Sequence, residues 1–148
     1  MCSSCQTVNG MAYYLSGSSC LFSCPAGEYG RVSDLQCLTC ATGCSVCFAG
    51  DVNSCTGCKQ DTVGGTPTDF FLVYQTTQCS TSCPSNQYSN ATSHTCLLCD
   101  SNCLTCSGTS KNCLTCGFSS AAVANLYLHG GACLLNCPDG FYPNTLNN

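Results

Sequence analysis

The sequence predicts a small disulfide-rich protein, built as an elongated rod of tandem repeats with short two-stranded β-hairpins, little or no helix and no large hydrophobic core. Three observations predict it. Twenty cysteines stand among 148 residues, well above the density that marks a disulfide scaffold. The 44% apolar content includes them, and without them about 30% is left, too little to build one ordinary core at this length. Finally, an eight-cysteine string occurs twice, as Cys20, Cys24, Cys37, Cys40, Cys44, Cys47, Cys55, Cys58 and as Cys79, Cys83, Cys96, Cys99, Cys103, Cys106, Cys113, Cys116. Agreement of their spacings to within one residue is the mark of internal repetition. The resulting organisation is the end of one repeat over 1–19, full repeats over 20–78 and 79–132, and the start of another over 133–148.

Each repeat has three parts. The first is a loop segment, 6–19, 59–78 or 117–132, carrying a short apolar run bounded by turn residues, which reads as one hairpin. Leu15, Tyr74 and Leu128 each lie five residues before the next cysteine. Length variation falls in this segment, and Gly64-Gly65-Thr66-Pro67 reads as a loop tip and not a strand. Loops that vary in length are where binding is expected, and Phe70 and Phe71 are the exposed-looking aromatics there.

The second part is a turn. Cys24-Pro25-Ala26-Gly27-Glu28-Tyr29, Cys83-Pro84-Ser85-Asn86-Gln87-Tyr88 and Cys137-Pro138-Asp139-Gly140-Phe141-Tyr142 align without gaps. Proline fixes its own φ and pushes the preceding cysteine into extended geometry. Gly or Asn two residues later can supply a left-handed position, and the recurring Tyr is placed to cover a neighbouring disulfide. The third part, Cys37 to Cys47 and Cys96 to Cys106, is almost all cysteine and small residues. Its gaps leave no room for regular secondary structure between bridges.

Charge excludes several functions. Lys and Arg number three against seven acids, and a phosphate backbone needs more basic groups than that. Anionic lipid is excluded likewise, and the longest apolar stretch, 121–128, is too short to span a bilayer. The expected partners are therefore copies of itself or other surface proteins, with no nucleic acid and no direct membrane insertion within this segment.

Seven C-x2-C pairs would also suit thiolate zinc sites. Against zinc stand the histidines, His94 and His129, which are not at ligand spacing and read as residues of solvated loops. The cations that offset thiolate charge are missing, and the C-x3-C-P pairs fit no zinc ribbon. Disulfides are favoured, with an intracellular zinc protein as a third reading. A reactive C-x2-C needs a lowered thiol pKa, usually from a helix N-terminus, and no helical pattern follows any of these pairs. The acids Glu28, Asp34, Asp51, Asp61, Asp69, Asp100 and Asp139 are spread singly, without a pair placed for acid–base work. The sequence reads as a non-enzyme with no cofactor and no metal. Asn90-Ala91-Thr92 is an N-glycosylation sequon in a polar loop.

The C-x2-C-x3-C runs, the later C-x2-C and the C-x3-C-P-x-G-x-Y turn of Cys20 to Tyr29 carry a family likeness over essentially the whole chain. They resemble the furin-like repeats of the growth-factor-receptor cysteine-rich superfamily. The low-charge, Ser/Thr/Asn-rich form, with strings such as Asn102 to Gly108, is most similar to the repeat arrays of ciliate and other protist surface proteins. Cysteine counts alone leave connectivity open. The resemblance implies Cys5–Cys20, Cys24–Cys37, Cys40–Cys47, Cys44–Cys55 and Cys58–Cys79, then Cys83–Cys96, Cys99–Cys106, Cys103–Cys113 and Cys116–Cys133. Cys2 and Cys137 would then find partners outside the chain, so a slice of a longer array is expected. The function expected is that of a non-enzymatic extracellular structural protein, a stapled rod segment of a cell-surface coat, stalk or filament. The alternative is a ligand-binding or receptor ectodomain module of growth-factor-receptor cysteine-rich type.

Overall fold

A computed structural model describes residues 3–48, 53–119 and 124–144. The chain forms two compact units, Met1–Thr81 and Ser82–Asn148. Every regular element among the described residues is a short strand, and no helix occurs.

In the first unit Thr7–Val8 pairs with Met11–Ala12 across Asn9-Gly10, both at positive φ (50° and 78°). An Asn-Gly pair with two left-handed residues matches the right-handed strand twist, which is why it closes two-residue hairpins. Tyr14–Ser16 and Ser19–Leu21 form a second hairpin, and Glu28–Arg31 and Gln36–Thr39 a third. Leu15 joins these two hairpins through a parallel pairing with Gln36, its N–H donating to the Leu35 carbonyl at 2.7 Å. Next come Cys44–Cys47 against Cys55–Cys58, Asp61–Val63 against Thr66–Thr68, and Phe71–Leu72 against Cys79–Ser80.

The second unit repeats the order. Gln87–Asn90 pairs with Thr95–Leu98, Cys103–Cys106 with Cys113–Cys116, Phe118–Ser119 with Ala124–Asn125, and Tyr127–His129 with Ala132–Leu134.

Several sequence-based expectations need correction. Each loop segment holds two hairpins where one is expected, because each contains two apolar runs and two turn signals. Thr66 and Pro67 lie in a strand; this short edge pairing tolerates a proline, which cannot donate to a ladder. The cysteine strings also contain regular structure. Cys44–Cys47 and Cys103–Cys106 are strands paired with the next C-x2-C, each with register shifts. Four residues with cysteines at both ends reach from one bridge to the next as a strand, and the irregular register lets both cysteines face inward.

The proline turn makes the same backbone hydrogen bond in all three copies. The N–H of Glu28, Gln87 and Phe141 donates to the carbonyl of Pro25, Pro84 and Pro138, at 3.0, 2.9 and 3.0 Å. Gly27 and Gly140 take the left-handed position (φ 85° and 87°), whereas Asn86 is not among the positive-φ residues.

The interior is mostly sulfur. Eleven apolar residues are buried among those described, and eight of them are cysteines; the others are Phe70, Phe71 and Leu126. Tyr88, at the recurring aromatic position, packs with Cys99 and Cys133 against buried Cys103, Cys106 and Cys113.

Phe70 and Phe71 are not exposed, as the sequence suggests, but 9% and 8% accessible. The cause is Gly43, which leaves a hollow that the Phe70 ring fills. A Cβ on Gly43 would stand 2.2 Å from the ring's Cγ, and the glycine has φ +78°. The Asp61 carboxylate closes the same corner, accepting from the N–H of Gly43 at 3.0 Å and of Thr62 at 2.8 Å.

Gly43→Ala therefore combines overpacking with a left-handed alanine, and should destabilise the first unit by about 2–4 kcal/mol. Gly17→Ala, at φ +61° with nothing within 4 Å, carries only the backbone strain and should lose about 1 kcal/mol. Thermal unfolding of the two variants checks the difference, and equal losses would remove the Phe70 contact from the explanation.

The two backbone donors, Gly43 first and Thr62 second, hold the Asp61 carboxyl below the ordinary carboxylate range. A carboxylate depressed on folding adds stability that is present above its unfolded pKa and is lost as pH falls through its folded pKa. Acidification below about pH 4, the unfolded carboxylate value, should thus loosen the Asp61–Gly43 corner. Asp61→Asn should show a shallower fall of melting temperature over that range than the unsubstituted chain.

Candidate functional site

The cysteines are the chemistry-bearing residues, and strand pairing positions them. The structure joins Cys5 to Cys20, Cys24 to Cys37, Cys40 to Cys47, Cys44 to Cys55 and Cys58 to Cys79. It also joins Cys83 to Cys96, Cys99 to Cys106, Cys103 to Cys113 and Cys116 to Cys133. Cα–Cα separations run from 5.2 Å (Cys103–Cys113) to 5.9 Å (Cys40–Cys47), inside the range a disulfide spans without backbone movement. Cys137 is a half-buried free cysteine. Cys2 and Asp51 lie outside the described residues.

Successive bridges pack on one another. The sulfurs of Cys40, Cys44 and Cys47 lie within 4.8 Å of one another, as do those of Cys44, Cys55 and Cys79, and those of Cys103, Cys113 and Cys133. Three cysteine sulfurs at that range could hold a thiophilic cation if reduced; here every one of them is engaged in a bridge.

Each repeat carries a groove beside its central bridge. In the first it has a volume of about 280 Å³, lined by Thr42, Asn53, Gln78 and the sulfur-bearing Cys55 and Cys79. The equivalent in the second, about 160 Å³, is lined by Asp100, Asn102, Lys111, Cys113 and Cys133. Matching backbone bonds fix both: the N–H of Cys55 donates to Thr77 and that of Cys113 to Gly131, at 2.9 and 2.8 Å. The first groove is neutral and amide-rich, and the second carries an acid and a base.

Five of the acids, Asp61 and four more, make structural contacts. Asp34 is held by the Arg31 guanidinium through two contacts, and that hydrogen bond, reinforced by the charge, lowers its pKa. Asp69 accepts from Gln60 at 3.0 Å, Asp100 from the N–H of Asn102 at 3.1 Å, and Glu28 from the Ser16 hydroxyl at 3.4 Å. None of these is paired with a second acid for general acid–base chemistry. His94 sits in a turn at φ 50°. His129 is not a loop residue: it ends the strand Tyr127–His129 and meets the Phe141 ring edge-on, centroids 4.6 Å apart.

Asn90 ends the strand Gln87–Asn90 and leads into exposed Ala91 and Thr92. Its Oδ1 accepts from the N–H of Thr92 at 3.0 Å and of Ser93 at 3.2 Å. The oxygen of the carboxamide thus shapes the turn, while the nitrogen is the atom an N-linked sugar would take.

Sequence reasoning missed the apolar side chains that stand outward. Phe22, Phe48, Leu104 and Leu114 are 55–66% accessible. Leu104 and Leu114 each follow an inward cysteine on paired strands, so strand alternation is the signal that could have found them.

No family model matches the chain. It is 33% identical over 123 residues to furin-like protease 2 of Drosophila melanogaster, a stretch covering 83% of this chain and 6% of that protein. It is 32% identical over 112 residues to cysteine repeat modular protein 2 of Tetrahymena thermophila, covering 71% of this chain and 5% of the relative. To the variant-specific surface protein VSP4A1 of Giardia intestinalis it is 34% identical over 108 residues, covering 70% and 14%. The chain therefore spans only a small part of these curated relatives, and the match lies in their cysteine-rich repeat regions and not in catalytic domains. Shared repeat sequence and, among the described residues, short hairpins without helix and nine disulfides lead to one assignment: this chain belongs to the furin-like cysteine-rich repeat family.

Proposed function

We propose that the chain is a non-enzymatic extracellular structural segment, a stapled rod section of a cell-surface coat, stalk or filament that associates with copies of itself or with other surface proteins. The observation that carries this reading is the composition of the interior. Eight of the eleven buried apolar residues are cysteines in bridges, so each repeat is held by covalent links to near neighbours in sequence. Such modules stack in one dimension and suit mechanical extension. An interior that depends on disulfides persists in an oxidising compartment, and one relative is a surface protein by name.

A ligand-binding module is the second reading. The outward Phe48, Leu104 and Leu114 favour it, since exposed apolar side chains are where a partner would gain contact. Association separates the two. Electron microscopy of negatively stained native material should show ordered lateral or end-to-end contacts between copies. Monomers with one saturable partner would instead establish the second reading.

In a secretory pathway Asn90 should carry an N-linked glycan. The intact mass should fall on treatment with an amidase that releases N-glycans, and Asn90→Gln should abolish that fall.

A further inference from the structure

We propose that the stacked bridges of the first repeat form a thiol–disulfide exchange path, along which a reduction at half-buried Cys79 moves inward through buried Cys44–Cys55 and emerges at the Cys40–Cys47 pair. Three facts place it. The trio Cys44, Cys55, Cys79 and the trio Cys40, Cys44, Cys47 share Cys44, and in each the sulfurs lie within 4.8 Å of one another. Cys44 and Cys55 are each 2% accessible, so a solvent thiol does not reach their bridge. Cys79 at one end, and Cys40 and Cys47 at the other, are half-buried.

The chemistry is ordinary exchange, in which a thiolate attacks one sulfur of a disulfide and expels the other as thiolate. A phosphine reductant and water convert Cys58–Cys79 to two thiols, the phosphine leaving as its oxide. The Cys79 thiolate attacks Cys55, making Cys55–Cys79 and expelling Cys44. The Cys44 thiolate then attacks one sulfur of Cys40–Cys47, forming a bond to it and expelling the other. Each exchange step conserves electrons, and the chain ends two electrons reduced, with thiols at Cys58 and at one of Cys40 or Cys47. The second repeat has the equivalent first trio, Cys103, Cys113 and Cys133, but among the described residues Cys99, Cys103 and Cys106 do not form the second. There the path stops one bridge sooner, at Cys103 or Cys113.

The test uses the whole oxidised chain and limited phosphine at about pH 3, where thiolate is suppressed and exchange is frozen. Free thiols are cyanylated in acid and located by peptide mass spectrometry. A second portion, cleared of reductant, is held at about pH 8.5, where thiolate forms, and is then acidified and labelled. The acid sample should carry labels in bridge pairs only, with Cys58 and Cys79, and Cys116 and Cys133, among them, and any directly reduced Cys40–Cys47 labelled at both cysteines. After the alkaline interval at least a tenfold rise is expected in label at one of Cys40 or Cys47 without the other, together with Cys58. In the second repeat the label should move to Cys103 or Cys113 and leave Cys99 and Cys106 unlabelled. The double variant Cys58→Ala/Cys79→Ala should lose the single Cys40 or Cys47 label. Labels that stay at Cys58 and Cys79, halt at Cys44 or Cys55, advance equally in both repeats, or persist at Cys40 in the double variant would overturn the path.

Discussion

The contact of one disulfide with the next is the constraint on which the rest of this structure depends. With Trp absent and six Phe in the chain, apolar side chains alone could not bury enough surface to offset backbone entropy. The bridges act on the other side of that balance. They close loops with sequence separations of 7 to 21 residues, each contributing on the order of 2–3 kcal/mol by restricting the unfolded chain. Because the sulfurs also pack together, the same atoms supply both the crosslink and the buried apolar volume. Strands of two to four residues, marginal by themselves, survive because a bridge stands at or near their ends.

Within that frame the repeats conserve the backbone and vary the side chains that close it. The turn between the strands after each proline shows this. In the first repeat Arg31 grips Asp34 and Leu35 takes φ 56°; in the second, Asn90 caps Thr92 and Ser93 and His94 takes φ 50°. An ion pair and an Asx turn do the same geometric work. The grooves beside the central bridges follow the pattern, identical in backbone bonding and different in charge. Identity of shape with difference of surface is what lets one module be reused at different positions of an array.

How much of this was legible in the sequence depends on how local the cause is. Hairpin turns such as Asn9-Gly10 and Gly130-Gly131 are written in adjacent residues, and the proline turn is written in six. The fold class followed from cysteine density, the small remaining apolar content and the repeated cysteine string. The burial of Phe70 was not legible, because its cause is the missing side chain of Gly43, far away in the chain and unremarkable inside a cysteine string. The Asp61 clamp on the same glycine was hidden for the same reason. The strands within the cysteine strings were missed by counting gaps between bridges, when the pairing partner lay beyond the next loop.

That failure bears on where function should be sought. A hydrophobic residue in the long loop segments reads as a contact point from sequence, yet Phe70, Phe71 and Leu126 are spent on the interior. The cysteine strings read as scaffold, yet the strands Cys103–Cys106 and Cys113–Cys116 bury their end cysteines and leave Leu104 and Leu114 outward, and Phe48 stands exposed just past the strand Cys44–Cys47. In a protein whose core is mostly sulfur, fewer apolar side chains are needed inside, and more of them stand outside. The exposed apolar side chains include ones set directly beside bridged cysteines, such as Leu104 and Leu114. The stapled strings are therefore both the frame of each repeat and the support of exposed apolar side chains.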